Sequence, residues 1–121
     1  MGMEFADHKR RLGAVVTNDF SQWSVQEWPF DPISLRLFRI NDEVVGEVFN
    51  PEKKTWDFFF VGHVTNPSGG PVKVGVFAGS PLQQGAHARF SFLSVRRCPK
   101  DVACHAHYNG APPEEEAKGE L

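Results

Sequence analysis

Cys98, Cys104, His105 and His107 form the densest cluster of metal-capable side chains in the sequence. Thiolate and imidazole are zinc ligands, but this C-x5-C-H-x-H spacing is not that of the common fingers. The two cysteines can also close a small disulfide loop. In a reducing compartment they are expected to stay free thiols in a tail. No metal and no cofactor are therefore expected.

Glycoside hydrolysis needs two carboxylates about 5–10 Å apart across a sugar-binding groove. On a strand, alternate residues give about 6.6 Å. The alternate-residue pair this chain offers, Glu114 and Glu116, falls in the C-terminal tail. Glu43 and Glu47 share a strand face but would stand about 13 Å apart. Ser80 sits in Ala78-Gly79-Ser80-Pro81, which is not a G-x-S-x-G nucleophile elbow, and Pro81 removes a backbone N–H from any oxyanion hole. Ser80 reads as a turn serine, and no catalytic residue is assigned.

Binding chemistry is better represented. An aromatic face can pack against the C–H face of a pyranose, and the chain has Trp23, Trp28 and Trp56. Trp56 alternates with Phe58 and Phe60, which predicts core. Trp23 and Trp28 fall near a predicted loop, which predicts exposure. Arg36, His63, His87 and Arg89 lie opposite the apolar parity of their strands. One such face of a jelly roll can serve as a concave ligand surface. The candidate ligand-binding set is Trp23, Arg36, His63, His87 and Arg89.

Strands must position these residues. Residues 11–17 place Leu12, Ala14 and Val16 on one face. Residues 33–40 begin with Ile33, Leu35 and Leu37 on one face and then switch to Phe38 and Ile40, which predicts a β-bulge or a strand moving between environments. Asn41-Asp42 suits a tight turn into a strand over 43–49. A strand over 55–64 puts Trp56, Phe58, Phe60 and Val64 on one face and Asp57, Phe59, Val61 and His63 on the other. The breaker run 66–71 leads to two more predicted strands, 72–77 and 87–92, joined by a turn at Gly79-Ser80-Pro81. No window carries a helical period over ten or more residues. The pattern is that of an all-β, antiparallel sandwich over 1–97, followed by a disordered tail over 98–121 that is acidic at its end.

Composition narrows the function classes. The 121 residues suffice for one domain, and a formal net charge of −2 argues against a dedicated nucleic-acid binder. Lys9-Arg10-Arg11 and Arg96-Arg97 read as solvated strand ends. The 11 Phe against 1 Tyr point to rings used for packing. No apolar run reaches the ~18 residues of a membrane span, and the first residues do not form a signal peptide. A cytoplasmic location is expected.

The order Gly2-x-Glu4-Phe5-x-Asp7, Val15-Val16-Thr17, Ser21-x-Trp23-Ser24, Leu35-Arg36-Leu37-x-Arg39, Trp56, Gly75 and Ser80-Pro81 resembles a domain of unknown function. That family includes the regulation of enolase protein and belongs to the concanavalin A-like lectin/glucanase superfamily. The resemblance implies a concanavalin A-like jelly roll, here without its leading strands, whose open edges invite self-association. It also implies a non-catalytic binding or regulatory module, acting on carbohydrate or on a metabolic enzyme. A glycan-acting hydrolase is the alternative, as is a protein-interaction domain or short isoform without a small ligand. Two positions depart from the family pattern: Gln22, where Asp is frequent, and Phe60, where Arg is frequent.

Overall fold

The computed structural model describes residues 1–82 and 84–97. Six strands are present, and no helix occurs among the described residues: β1 (Gly2–Ala6), β2 (Lys9–Thr17), β3 (Ser21–Glu27), β4 (Leu35–Ile40), β5 (Glu43–Asn50) and β6 (Thr55–His63). They make two antiparallel three-stranded sheets, ordered β1-β2-β3 and β4-β5-β6. Each sheet is a meander of sequence neighbours, so every pairing closes through a short loop.

The turns follow from residue type. Asp7 and His8 both adopt positive φ, as a two-residue turn between right-twisted strands requires. Asn41 does the same at the Asn41-Asp42 turn, which pairs Ile40 with Glu43 as expected. Between β5 and β6, Asn50 organises the loop. Its Oδ1 accepts from the backbone N–H groups of Glu52 and Lys53, each at 3.1 Å. Its Nδ2 donates to Asp57 Oδ2 at 3.1 Å, while Thr55 Oγ1 donates to Asp57 Oδ1 at 2.7 Å. Lys54 supplies the left-handed residue that closes the loop.

The core is small and lies where the sheets meet. Leu12, Ala14 and Val16 are buried on the inner face of β2, as their alternation predicts. Leu12 contacts Trp28 and Val48, with Met3, Phe30, Ile33, Leu35 and Phe59 packed around them. Trp28 is thus a core residue, not an exposed loop aromatic. Its backbone N–H donates to Arg10 O at 3.0 Å, and its ring meets Phe30 edge-on at 5.2 Å.

The bulge expected within residues 33–40 does not form. The β4–β5 register is unbroken, whereas the β5–β6 register slips between Gly46 and Glu47, which face Phe60 and Phe58. Phe59 is therefore the extra residue, and parity reverses across it. Trp56 and Phe58 lie on the outer face, while Phe59 turns inward onto the core. Glycines make room for this. A Cβ at Gly46 would lie 3.3 Å from both Phe59 and Phe60, and one at Gly62 would lie 2.6 Å from Phe60 and Val16.

Two strands were not legible, β1 and β3, and two expected ones do not form. Residues 71–82 and 84–97 form neither helix nor strand, and Val72, Val74, Val76, Phe77, Phe90 and Phe92 are exposed. The alternation there is strand-like, but a strand needs a paired neighbour and a covered face. The six strands lie within residues 2–63. Residues 98–121, with Cys98, Cys104, His105, His107, Glu114 and Glu116, lie outside the described residues. Among the described residues, no helix is long and apolar enough to cross a membrane.

Two outcomes test this description. Leu12→Ala should cost about 2–5 kcal/mol in urea unfolding, because it opens a cavity between the sheets. Burial pushes the Asp57 carboxyl up, but hydrogen bonds from Thr55 and Asn50 and the charge of Lys53 outweigh it and hold the group below the ordinary aspartate value. A depressed folded value stabilises above the unfolded pKa and is lost as pH falls through the folded one. Asp57→Asn should therefore lower the melting temperature at neutral pH, and the gap to the parent should close as pH drops below about 4.

Candidate binding surface

Strand parity places Lys9, Arg11, Gly13, Val15 and Thr17 of β2 on the outer face of the first sheet. The β2–β3 register sets Val15 beside Trp23, Gly13 beside Val25, and Arg11 beside Glu27. Val15, Trp23 and Val25 form an exposed apolar strip, with the indole 61% accessible. A Cβ at Gly13 would stand 3.4 Å from Trp23 Nε1, so the indole leans over the glycine. The missing side chain at Gly13 lets the ring settle on the sheet while much of it faces solvent.

Polar groups frame the strip. Thr17 and Ser21 share a hydroxyl hydrogen bond of 2.8 Å at one end. At the other, Glu27 pairs with Lys9, and Glu4 stands across from Arg11. The hydrogen bond from Lys9, then its charge, hold the Glu27 carboxyl below its ordinary value. The basic triplet is spent on carboxylates: Lys9 on Glu27, Arg10 on Asp31 at 3.0 Å, and Arg11 on Asp7 at 3.2 Å.

On its inward side β3 carries Gln22, Ser24 and Gln26. Gln22, Trp23 and Ser24 line a shallow, open hollow of about 280 Å³ together with Phe59, Phe60 and Val61 of β6. The two positions that depart from the resembled pattern, Gln22 and Phe60, thus meet in one place.

The outer face of the second sheet holds a different cluster. Arg36 Nε and Nη2 both donate to Glu47 Oε2, at 3.0 and 2.5 Å. The guanidinium carbon lies 4.0 Å from the Trp56 ring centroid and 5.5 Å from that of Phe38. Trp56 meets Phe49 edge-on at 5.4 Å. Glu47 is wholly buried, and its Oε1 has no hydrogen-bond partner. Arg36 is 13% exposed in its side chain. The stack covers one face of Trp56 with a cation, so this tryptophan is neither apolar core nor an open platform. The cluster anchors the sheet by charge and cation–π attraction.

Of the candidate residues, Arg36 and His63 share this face, because the register reaches His63 through Glu43. They stand four positions apart along the sheet, about 13 Å. Trp23 lies on the opposite sheet. His87 and Arg89 fall in the segment that joins neither sheet, so no strand positions them. The structure does not gather the five. Sequence reasoning missed Gly13, Val15 and Val25 as the setting of Trp23, although Trp23 and Val25 alternate with Gln22, Ser24 and Gln26. Among the described residues, no group of three or more His, Cys, Asp or Glu is gathered to hold a metal.

Residues 1–98 match the family described as protein of unknown function (DUF1349), and the chain belongs to it. No curated protein and no solved structure matches the chain.

Removing the charge that faces Glu47 tests the second cluster. Arg36→Ala should destabilise by about 3–5 kcal/mol, because a carboxylate is left buried without its cation. Replacing both partners, Arg36→Met with Glu47→Leu, should recover most of that loss in the same denaturation assay.

Proposed function

We propose that this member of the DUF1349 family is a non-catalytic binding module that takes a carbohydrate on the outer face of its first sheet. The observation that carries the reading is Trp23, an exposed indole seated over Gly13 between Val15 and Val25. A rigid ring with one open face offers a pyranose a flat apolar surface at little entropic cost. Thr17 and Ser21 stand two residues along from Val15 and Trp23, about 7–8 Å away, as hydrogen-bonding groups for hydroxyls. The concanavalin A-like relationship and a cytoplasmic setting belong to the same proposal.

The hydrolase alternative has one carboxylate pair on this face. Glu4 and Glu27 flank Arg11 from either side, two strand spacings or about 10 Å apart. An acid catalyst needs a carboxyl held protonated near neutral pH. Lys9 drives Glu27 the other way, keeping it ionised. That direction favours binding over turnover.

Calorimetric titration with a panel of oligosaccharides tests the reading. Binding should be weakened about tenfold or more in Trp23→Ala, with the melting temperature unchanged because the ring is exposed. Gly13→Leu, which lifts the indole, should act in the same direction. Turnover of a chromogenic oligosaccharide that disappears in Glu27→Gln would replace the reading with the hydrolase. Failure of every sugar to bind would return the face to a protein partner, such as the metabolic enzyme that the resemblance implies.

A further inference from the structure

The two sheets do not pack strand on strand. The space beside Gly46 of β5 is filled by Met1, which precedes β1, and that beside Gly62 of β6 by Val16 of β2. β2 thus crosses from β5, where Leu12 meets Val48, to β6. β3 lies beyond it, and all seven of its residues are exposed. A hollow lined by Gln22, Trp23, Ser24, Phe59, Phe60 and Val61 opens between β3 and β6. A strand added to the free edge of β6 would fill it.

The chain carries a sequence fit for that place. Val72, Val74 and Val76 alternate with Lys73 and Gly75, and Phe90 and Phe92 alternate with Arg89 and Ser91. Both runs are six residues, about 20 Å when extended, close to the length of β3. Both are exposed, as are Phe77 and Leu82 between them, at 87% and 94%. The family match extends to residue 98, so the segment belongs to the domain rather than to a linker beyond it.

The stretch between β6 and this segment is ordered by side-chain and turn hydrogen bonds. Asn18, in the β2–β3 turn, clamps the chain just after β6. Its Nδ2 donates to His63 O at 2.9 Å, and its Oδ1 accepts from Thr65 N at 3.3 Å and Thr65 Oγ1 at 3.2 Å. A tight turn follows. Gly69 N donates to Asn66 O at 3.0 Å, Asn66 Nδ2 donates to Gly70 O at 2.8 Å, and Gly69 takes a positive φ. Pro67 and Pro71 stiffen both sides. Among the described residues, the segment that leaves this turn pairs with neither sheet of its own chain, so the β6 edge stays open to a strand from another molecule.

We infer that residues 72–77 add as a β-strand to the open β6 edge of a second copy of this chain, under its β3. The valine face would close the hollow over Phe59 and Phe60. Main-chain hydrogen bonds along the edge would supply the affinity, as in other strand additions.

Light scattering after size exclusion, run over a concentration series on the full chain, gives the mass. Hydrogen exchange on the same samples reports the segment. The expected result is a concentration-dependent dimer in which amides of 72–77 gain protection as the dimer fills. Val74→Asp, at a position exposed in the monomer, should shift the dimer to about tenfold higher concentration or beyond without changing the protection of β2. A chain that stays monomeric at all concentrations would overturn the inference. So would a dimer whose 72–77 amides exchange like free peptide, or a monomer that protects them at every concentration.

Discussion

The contact of Leu12 with Val48 and Trp28 is what makes one domain of two meanders. Each sheet is assembled by local turns and needs little from the other to choose its register. A sheet that is apolar on one face must bury that face against another element. Burying these side chains supplies the missing driving force, roughly 1.5–3 kcal/mol for each large one. The Phe59 bulge serves the same contact, because it turns a ring inward that a regular strand would have sent to solvent.

The outer faces are handled by opposite means. On the second sheet, polar and aromatic groups are folded into one another: Arg36 neutralises a buried Glu47 and lies on Trp56. Such a pair gives little net stability against apolar replacements, but it is costly to break from one side. It ties β4, β5 and β6 together across their middle. On the first sheet, the face is left open. Trp23, Val15 and Val25 remain accessible, and the charges around them pair locally. A ligand surface needs that asymmetry, since a ring already covered by a cation has little left to offer.

The hollow between β3 and β6 links packing to association. Gln22, Ser24 and Gln26 point into the layer where apolar residues would be expected, so β3 tolerates an unfilled space beside it. The same space is bounded by Phe59 and Phe60, which gain from being covered. Edge strands left this way are sites of further pairing, whether within a chain or between chains.

The alternation of Leu12, Ala14 and Val16, the Asn41-Asp42 turn, and the strands β2, β4, β5 and β6 were readable because local periodicity and turn chemistry decide them. So was the all-β class. The parity switch in residues 33–40 does not mark a bulge, and the bulge at Phe59 shows only in the β5–β6 register. β1 was hidden because its turn, Asp7-His8, lacks the usual glycine. β3 was hidden because its apolar residues face outward. Trp28 looked like a loop residue, and only the meeting of the sheets buries it. Residues 72–92 have strand periodicity with no strand, since alternation states what a segment can pair with, not whether a partner edge lies within its reach. Sequence by itself determined the local elements, through sterics and side-chain alternation. Tertiary structure decided which faces are buried, because burial depends on what the rest of the chain brings alongside.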